Sequence, residues 1–209
     1  MGTESIEASF LSIFALVSFF IFLLVSKYSH KLKSGALLDK DFSKPQAFHE
    51  IPVTRSGGIA VIISLSVFFY IYYLLYDEVL YNYIFISYSV FIVGFLDDLR
   101  IDINPFKRLI IMMLLLFIFI SFLPIKILNI DIPLLTSLMS NHIFSSIFVL
   151  LCFLFVINGA NLIDGFNGML TIHLIIINSI LTYINLENLN FEFSFILIGQ
   201  IIILFSFLL

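Results

Sequence analysis

Two adjacent carboxylates, Asp97 and Asp98, follow a long apolar run that closes in the sequence G-F-L-D-D. Neighbouring carboxylates repel each other, so they need a cation or a shared proton nearby. Mg²⁺ prefers carboxylate oxygens combined with phosphate oxygens. A solvated helix end, with Asp97 paired to Arg100, explains the same residues without a ligand. However, acidic side chains near a helix C-terminus oppose the macrodipole, and this cost favours a functional role for the pair.

A second polar cluster, with the sequence N-G-A-N-L-I-D-G-F-N-G, occupies residues 158–168 between two apolar runs. Its amides and its carboxylate could bind a metal ion, a ribose or a uracil edge, and its glycines permit tight backbone turns. A plain connecting turn needs fewer polar residues than this. The cluster is therefore interpreted as a binding loop, and its candidate binding residues are Asn158, Asn161, Asp164 and Asn167.

A third polar segment, H-E-I-P-V-T-R-S-G-G, covers residues 49–58 and leads into an apolar run. Paired glycines at a helix N-terminus, here Gly57 and Gly58, present free N–H groups to an anion. His49 and Arg55 add donors that suit phosphate. A positively charged loop that ends in a glycine turn accounts equally well for this segment when it is taken alone.

The elements that must position these segments are transmembrane helices. Apolar residues make up 61% of the chain and charged residues only 11%, with a mean hydropathy of +1.15, whereas about 25% of the residues of a soluble domain are charged. A spanning helix needs roughly 20 mostly apolar residues, and backbone groups in hydrocarbon must bond within the helix. We predict an all-α polytopic membrane protein with a single domain, residues 1–209, and about seven spanning helices: Ile6–Ser26, Gly58–Tyr76, Val79–Leu96, Lys107–Leu123, Ile143–Ile157, Met169–Ile184 and Phe193–Leu209.

The distribution of Lys and Arg predicts the orientation, because cytoplasmic loops are enriched in these residues. Of the ten basic residues only Lys126 falls on the opposite side from the others. The N-terminus is therefore expected outside, and all three polar segments are expected at the cytoplasmic face. On the outer side, residues 125–133 could form a short periplasmic hairpin, because apolar and polar residues roughly alternate there. His173, early in the sixth run, could face the same cytoplasmic site, but it is interpreted as a packed interior histidine. The formal charge of −4 gives no indication of a nucleic-acid partner.

In chain order, the three segments resemble the motifs of the polyprenyl-phosphate N-acetylhexosamine-1-phosphate transferases, a superfamily that includes the phospho-MurNAc-pentapeptide translocase. The family patterns are H-x-x-P-x-x-R-x-G-G, G-F-x-D-D and N-A-x-N-x-x-D-G-x-D-G. The stretch ahead of His49, which contains Lys44, also resembles the first cytoplasmic loop of the family. The P-x-x-R-x-G-G ending is more similar to the undecaprenyl-phosphate GlcNAc-1-phosphate transferases than to the translocase.

The resemblance implies transfer of a HexNAc-1-phosphate, GlcNAc-1-phosphate in the first place, from a UDP-sugar to undecaprenyl phosphate, a polyprenyl phosphate, with release of UMP. This reaction would be the first membrane step of cell-wall or lipopolysaccharide biosynthesis, in a multi-pass protein of the bacterial inner membrane. The resemblance also implies Mg²⁺, with Mn²⁺ as an alternative ion, and is compatible with a homodimer. By motif, Asp97, Asp98 and Asp164 match catalytic positions, and Asp97 and Asp164 match the metal site. The positions matched to substrate binding are Lys44, His49, Arg55, Gly57, Gly58, Asn158, Asn161 and Asn167.

Two departures from the family pattern affect these expectations. Asn167 stands where the family has the second Asp of D-G-x-D-G. The chain ends at Leu209, before the F-x-G-D-x-G loop and the histidine-rich loop of the family. We therefore expect a C-terminally truncated member that spans the N-terminal two-thirds of the family fold. The alternatives are an ion-coupled transporter, with Asp97, Asp98 and Asp164 along its path, and an inactive membrane scaffold.

Overall fold

The computed structural model describes residues 2–29, 38–39, 53–54, 56–98, 105–122, 132–163 and 168–209. Two short strands, β1 (Leu38–Asp39) and β2 (Val53–Thr54), pair antiparallel, with Leu38 opposite Thr54. The predicted all-α polytopic fold is confirmed, and this strand pair adds a minor element to it. In the described ranges the chain forms eight helices: α1 (Gly2–Ser29), α2 (Gly57–Tyr76), α3 (Tyr81–Asp98), α4 (Pro105–Phe122), α5 (Pro133–Met139), α6 (His142–Ile163), α7 (Met169–Glu187) and α8 (Phe191–Leu208).

The seven apolar runs of the sequence coincide with the seven longer helices. Helix α3 contains a shorter apolar stretch, Tyr81–Leu96. Such runs form helices because hydrocarbon offers the backbone no other hydrogen-bond partners. The protein is therefore a multi-pass membrane protein. Within the described ranges, five helices are long and apolar enough to cross a membrane: Ile6–Ser29, Gly57–Tyr76, His142–Ala160, Met169–Glu187 and Phe191–Leu208.

The segment that precedes α6 contains a helix that the sequence did not indicate. Residues 125–131 of the predicted hairpin lie outside the described residues. Ile132 is extended, with φ −118° and ψ 107°, and Pro133 begins α5. Proline suits a first helical position, because its fixed φ is helical and that position needs no N–H donor. The last position assigned to the hairpin therefore belongs to a helix.

The chain divides into two compact units, residues 1–91 with 163–209, and residues 92–162. In the first unit, α8 packs against α1, α2 and α7, and α1 also packs against α2. Helices α7 and α8 form an antiparallel hairpin through residues 188–190, where Leu189 has a positive φ of 58°. The expectation that residues 1–209 form a single domain stays a prediction.

The core of the first unit is aromatic and closely packed. Phe68 of α2 stacks on Phe195 of α8 with 5.7 Å between the ring centroids. The ring of Phe68 also lies against Gly199, so closely that any added Cβ would overlap it. The hydroxyl oxygens of Ser18 and Ser64, both fully buried, are 3.5 Å apart. Small residues and hydroxyls at such contacts let membrane helices approach each other closely.

The second unit contains α4, α5, α6 and the last residues of α3. The ring of Phe119 on α4 meets the ring of Phe153 on α6 edge-on, with 6.4 Å between the centroids. This unit therefore carries the acidic pair and the first part of the 158–168 cluster. Its described buried apolar side chains lie on α3, α4 and α6: Val93, Leu116, Phe119, Ile120, Val149, Leu150 and Leu154.

Candidate active site

The paired glycines of the 49–58 segment form the start of α2. The helix begins at Gly57, and the carbonyl of Ser56 accepts hydrogen bonds from two N–H groups of the first turn, at 3.1 and 3.3 Å. A Cβ added to Gly57 would lie 2.7 Å from Cε2 of Phe207, near the end of α8. At Gly58 an added Cβ would make only an ordinary contact with Phe91, at 3.9 Å. A side chain at position 57 would therefore force the ring of Phe207 or the start of α2 to move, whereas position 58 has room for one.

The last glycine of the 158–168 cluster lies at the same end of α8. Gly168 precedes α7 with φ 74°, a conformation that other residues rarely adopt. A Cβ at this position would lie 3.0 Å from Cδ2 of Leu208. Because Gly57 lies against Phe207, the first unit brings one end of each of two polar segments to consecutive residues of α8.

Two helix N-termini therefore lie beside the end of α8, and we call this region, formed by Gly57, Gly168, Phe207 and Leu208, the glycine end. The first N–H groups of a helix lack intrahelical partners and carry partial positive charge. Among the residues that the structure describes, no side chain caps α2 or α7, and neither helix has an acidic residue in its first turn. Backbone N–H groups in this arrangement bind phosphate. The glycine end is a candidate anion site.

The acidic pair occupies the last two positions of α3, which ends at Asp98. Asp97 and Asp98 therefore lie at a helix C-terminus, as their place after an apolar run indicates. Their backbone belongs to the second unit, and their side chains fall outside the described part of the chain. The catalytic role of the pair stays a prediction.

The first half of the 158–168 cluster is helical, which corrects the expectation of a loop. Helix α6 continues to Ile163. The Nδ2 group of Asn158 donates a hydrogen bond to the carbonyl of Leu154 at 2.8 Å, and such a bond to the preceding turn satisfies an asparagine within a helix. Asn161 lies three residues further and so on the same side of α6. The amide oxygen of Asn158 takes no part in this bond. It is therefore the atom of this side chain that is suited to accept from a ligand or to bind a metal ion.

The other candidate residues lie outside the described residues: Lys44, His49, Arg55, Asp164 and Asn167. In the part of the chain that the structure describes, no group of three or more His, Cys, Asp or Glu side chains could hold a metal ion. The side chains of Asp97 and Asp164, to which the family motif assigns the metal, fall outside that part.

Two further residues acquire a significance that the sequence did not indicate, and a third, His173, differs from its preferred interpretation. Lys107 and Arg108, which served only to predict topology, lie in the first turn of α4. Positive side chains near a helix N-terminus are repelled by the positive end of the helix dipole. An anion bound nearby would offset this repulsion. His173 is exposed on α7, so its interpretation as a packed interior histidine is wrong. The alternative, that His173 faces the cytoplasmic site, stays a prediction.

The family model for Glycosyl transferase family 4 matches residues 79–209. The match covers more than half of the chain and includes the acidic pair and the whole 158–168 cluster. The chain therefore belongs to glycosyl transferase family 4. Members of this family are glycosyl-1-phosphate transferases that act on lipid phosphates, so the protein is a membrane enzyme that transfers a sugar phosphate to a lipid phosphate. No curated protein and no solved structure matches the chain.

Proposed function

We propose that the enzyme transfers a HexNAc-1-phosphate from a UDP-sugar, UDP-GlcNAc in the first place, to undecaprenyl phosphate and releases UMP. The observation that carries this proposal is the glycine end, where the N-termini of α2 and α7 lie beside Phe207 and Leu208. A nucleotide diphosphate sugar brings two adjacent negative phosphates, and two helix N-termini with no acidic residue in their first turns suit them. The motifs that supply these glycines also supply the polar candidates of the family pattern.

The reaction requires charge neutralisation and alignment more than covalent chemistry from the protein. The new bond joins an oxygen of the lipid phosphate to the phosphorus that bears the sugar, and the broken bond frees the bridging oxygen with UMP. Asp97 and Asp98 would orient or deprotonate the lipid phosphate. His49, Arg55 and Lys44 would donate hydrogen bonds to the diphosphate, as the N–H groups of α2 and α7 would. Preorganised donors of this kind stabilise charge that develops in the transition state.

The donor set also suits a hard divalent cation, Mg²⁺ or alternatively Mn²⁺. The candidate ligands are aspartate carboxylates and asparagine amide oxygens, which Mg²⁺ prefers. The nitrogen of the Asn158 amide bonds to Leu154, so its oxygen is suited to face a cation or nucleotide. Asp97 and Asp164 would hold the ion, and the bound ion would neutralise charge on the diphosphate.

The proposed site lies at the cytoplasmic face of a bacterial inner membrane, with the N-terminus of the protein outside. Two observations support this orientation. All basic residues except Lys126 fall on one side of the predicted topology. In the first unit, α2 and α7 begin at the end where α8 finishes, which agrees with the same alternation of helices.

We propose GlcNAc-1-phosphate as the transferred group because the P-x-x-R-x-G-G ending of the 49–58 segment resembles the motif of the GlcNAc-1-phosphate transferases. The place of the reaction at the first membrane step of cell-surface glycan synthesis follows from the same resemblance. The homodimer and the C-terminal truncation expected from the sequence stay predictions.

The proposal is tested by incubating the full-length protein in detergent with UDP-GlcNAc, Mg²⁺ and undecaprenyl phosphate, with UMP release and the lipid-linked product measured together. Asp97→Asn should lower kcat by about 100-fold or more, because a proton-transfer or ligand carboxylate is lost. Asp77→Asn is the matched control, since the same chemical change falls at the opposite end of α2. Absence of UMP release with every UDP-HexNAc, or equal rates for the two variants, would contradict the proposal.

A further inference from the structure

His173 is a titratable residue on an otherwise apolar, exposed side of α7. The residues of α7 that are buried, Thr171, Asn178 and Thr182, lie on the side that packs against α8. A helix turns about 100° per residue, so position 173 lies on the opposite side of α7 from these three. His173 is correspondingly exposed.

The neighbours of His173 on this side of α7 are large and apolar. Met169, Ile176 and Ile180 are 52%, 52% and 55% exposed, as expected of residues that contact lipid chains. A polar, ionisable side chain in such surroundings is costly unless it finds a partner. In the described part of the chain, no hydrogen bond to the imidazole of His173 is formed, so a partner from the bilayer would offset this cost.

His173 lies near the end of α7 at which the candidate membrane span Met169–Glu187 begins. It lies four residues after Met169, the first residue of α7, which is about 6 Å along the helix axis. Side chains on a helix tilt toward its N-terminus, so the imidazole of His173 points back toward the headgroup layer, where lipid phosphates lie. The same end of α7 carries Gly168 and belongs to the glycine end. A lipid phosphate that approaches the glycine end from the bilayer along α7 would reach His173 first.

We propose that His173 binds the phosphate of the lipid acceptor as it enters the site from the bilayer, with its isoprenoid chain along Ile176 and Ile180. An imidazole N–H donates to a phosphate oxygen, and the apolar neighbours accept the chain. The inference rests on the proposed function, because it places the acceptor relative to the glycine end. A phosphate carried by an ordinary phospholipid has the same chemistry, so the test must separate the two sources.

The test uses the full-length protein in a non-ionic detergent free of phospholipid, with each substrate varied in turn. His173→Ala should raise KM for undecaprenyl phosphate about tenfold, as expected for one hydrogen bond to a charged group. KM for UDP-GlcNAc should stay within about twofold, since the acceptor and not the donor contacts His173. His173→Gln, which keeps an N–H donor, should recover most of the loss. His142→Ala, the same change at the start of α6, is the matched control and should have no effect.

Three results would overturn the proposal. The first is an active wild-type protein whose KM for undecaprenyl phosphate is unaffected by His173→Ala, which removes this inference and leaves the proposed function intact. The second is a defect that appears only after phosphatidylglycerol is added, because His173 would then bind a bulk phospholipid. The third is a wild-type protein without UMP release, in which case the proposed function fails and the role of His173 fails with it.

Discussion

In the first unit, the N-terminus of α8 differs from those of α2 and α7, which lie at the other end of the unit. Helix α8 begins at the end formed by residues 77–80 and 188–190, which we call the turn end. There the side chain of Asn190 accepts a hydrogen bond from the N–H of Phe193 at 3.4 Å, and Glu192 lies in the first turn. Helices α2 and α7 begin at the glycine end with neither device. A helix dipole that the protein itself neutralises stabilises the fold, whereas one without such side chains suits an anionic ligand.

Other polar groups at the turn end are also satisfied within the protein. The hydroxyl of Tyr76 donates to the carboxylate of Glu7 at 3.0 Å. The N–H of Asp77 caps α2 through the carbonyl of Tyr73 at 2.9 Å. The rings of Tyr72 and Tyr76 pack with 4.6 Å between their centroids. From this comparison we expect the turn end to stabilise the bundle and the glycine end, as proposed, to bind substrate. Substitutions at each end can separate these roles.

The largest effect is expected for Gly168→Ala at the glycine end. Gly168 has a φ of 74°, and a Cβ added there would lie 3.0 Å from Cδ2 of Leu208. A side chain there costs about 1–2 kcal/mol of backbone strain at the start of α7 and requires the side chain of Leu208 to shift. We expect kcat to fall about tenfold or more, since small displacements of a binding group are costly. Gly168→Asn should be milder, because asparagine adopts this conformation more readily.

The matched change at the turn end is Leu189→Gly, at a residue with φ 58°. Removing the side chain relieves strain there, so Tm should rise or stay level and kcat should not change. Melting curves and UMP release for the two variants check this pair. Equal losses of activity at both ends would contradict the division of roles.

A smaller loss of activity is expected for Gly57→Ala. Its Cβ would lie 2.7 Å from Cε2 of Phe207, so the ring or the helix start must move. Gly58→Ala meets Phe91 only at 3.9 Å and should cost less activity. Adding Phe207→Ala to Gly57→Ala should restore part of the rate, because it removes the clash; a double-mutant cycle on UMP release measures this coupling. Additive effects of the two changes would contradict the contact.

The smallest effect on activity is expected for Asn190→Ala at the turn end. Loss of an N-cap side chain costs about 1 kcal/mol of stability. The Tm should therefore fall by a few degrees, while kcat of the folded protein stays unchanged because the turn end does not contact substrate. A loss of kcat without a loss of stability would indicate that the turn end takes part in catalysis.

The sequence predicted the helices well because the bilayer leaves the backbone no alternative. It failed where local side-chain bonds decide the outcome. Asn158 to Ile163 was expected in a loop, yet the amide of Asn158 bonds to Leu154 and α6 continues. Helix α5 was missed because it is only seven residues long and gives no long apolar run.

The candidate site was predictable as a set of motifs but not as an arrangement. Nothing in the residues of α8 indicates that Phe207 and Leu208 lie beside Gly57 and Gly168, because these contacts join distant parts of the chain. On α7 the usual pattern of burial is reversed: the helix buries Thr171, Asn178 and Thr182 and exposes apolar residues. For this reason His173 was wrongly assigned to the interior.

The most direct test of the central claim is substrate protection of single cysteines at the two ends. Cys152, the single cysteine of the chain, is first replaced by alanine. Gly58→Cys then reports on the glycine end and Asp77→Cys on the turn end. With Mg²⁺ and UDP-GlcNAc, maleimide labelling at position 58 should slow by about fivefold or more, as bound nucleotide covers the N-terminus of α2, and labelling at position 77 should not change. Protection at position 77, or none at position 58, would contradict the account.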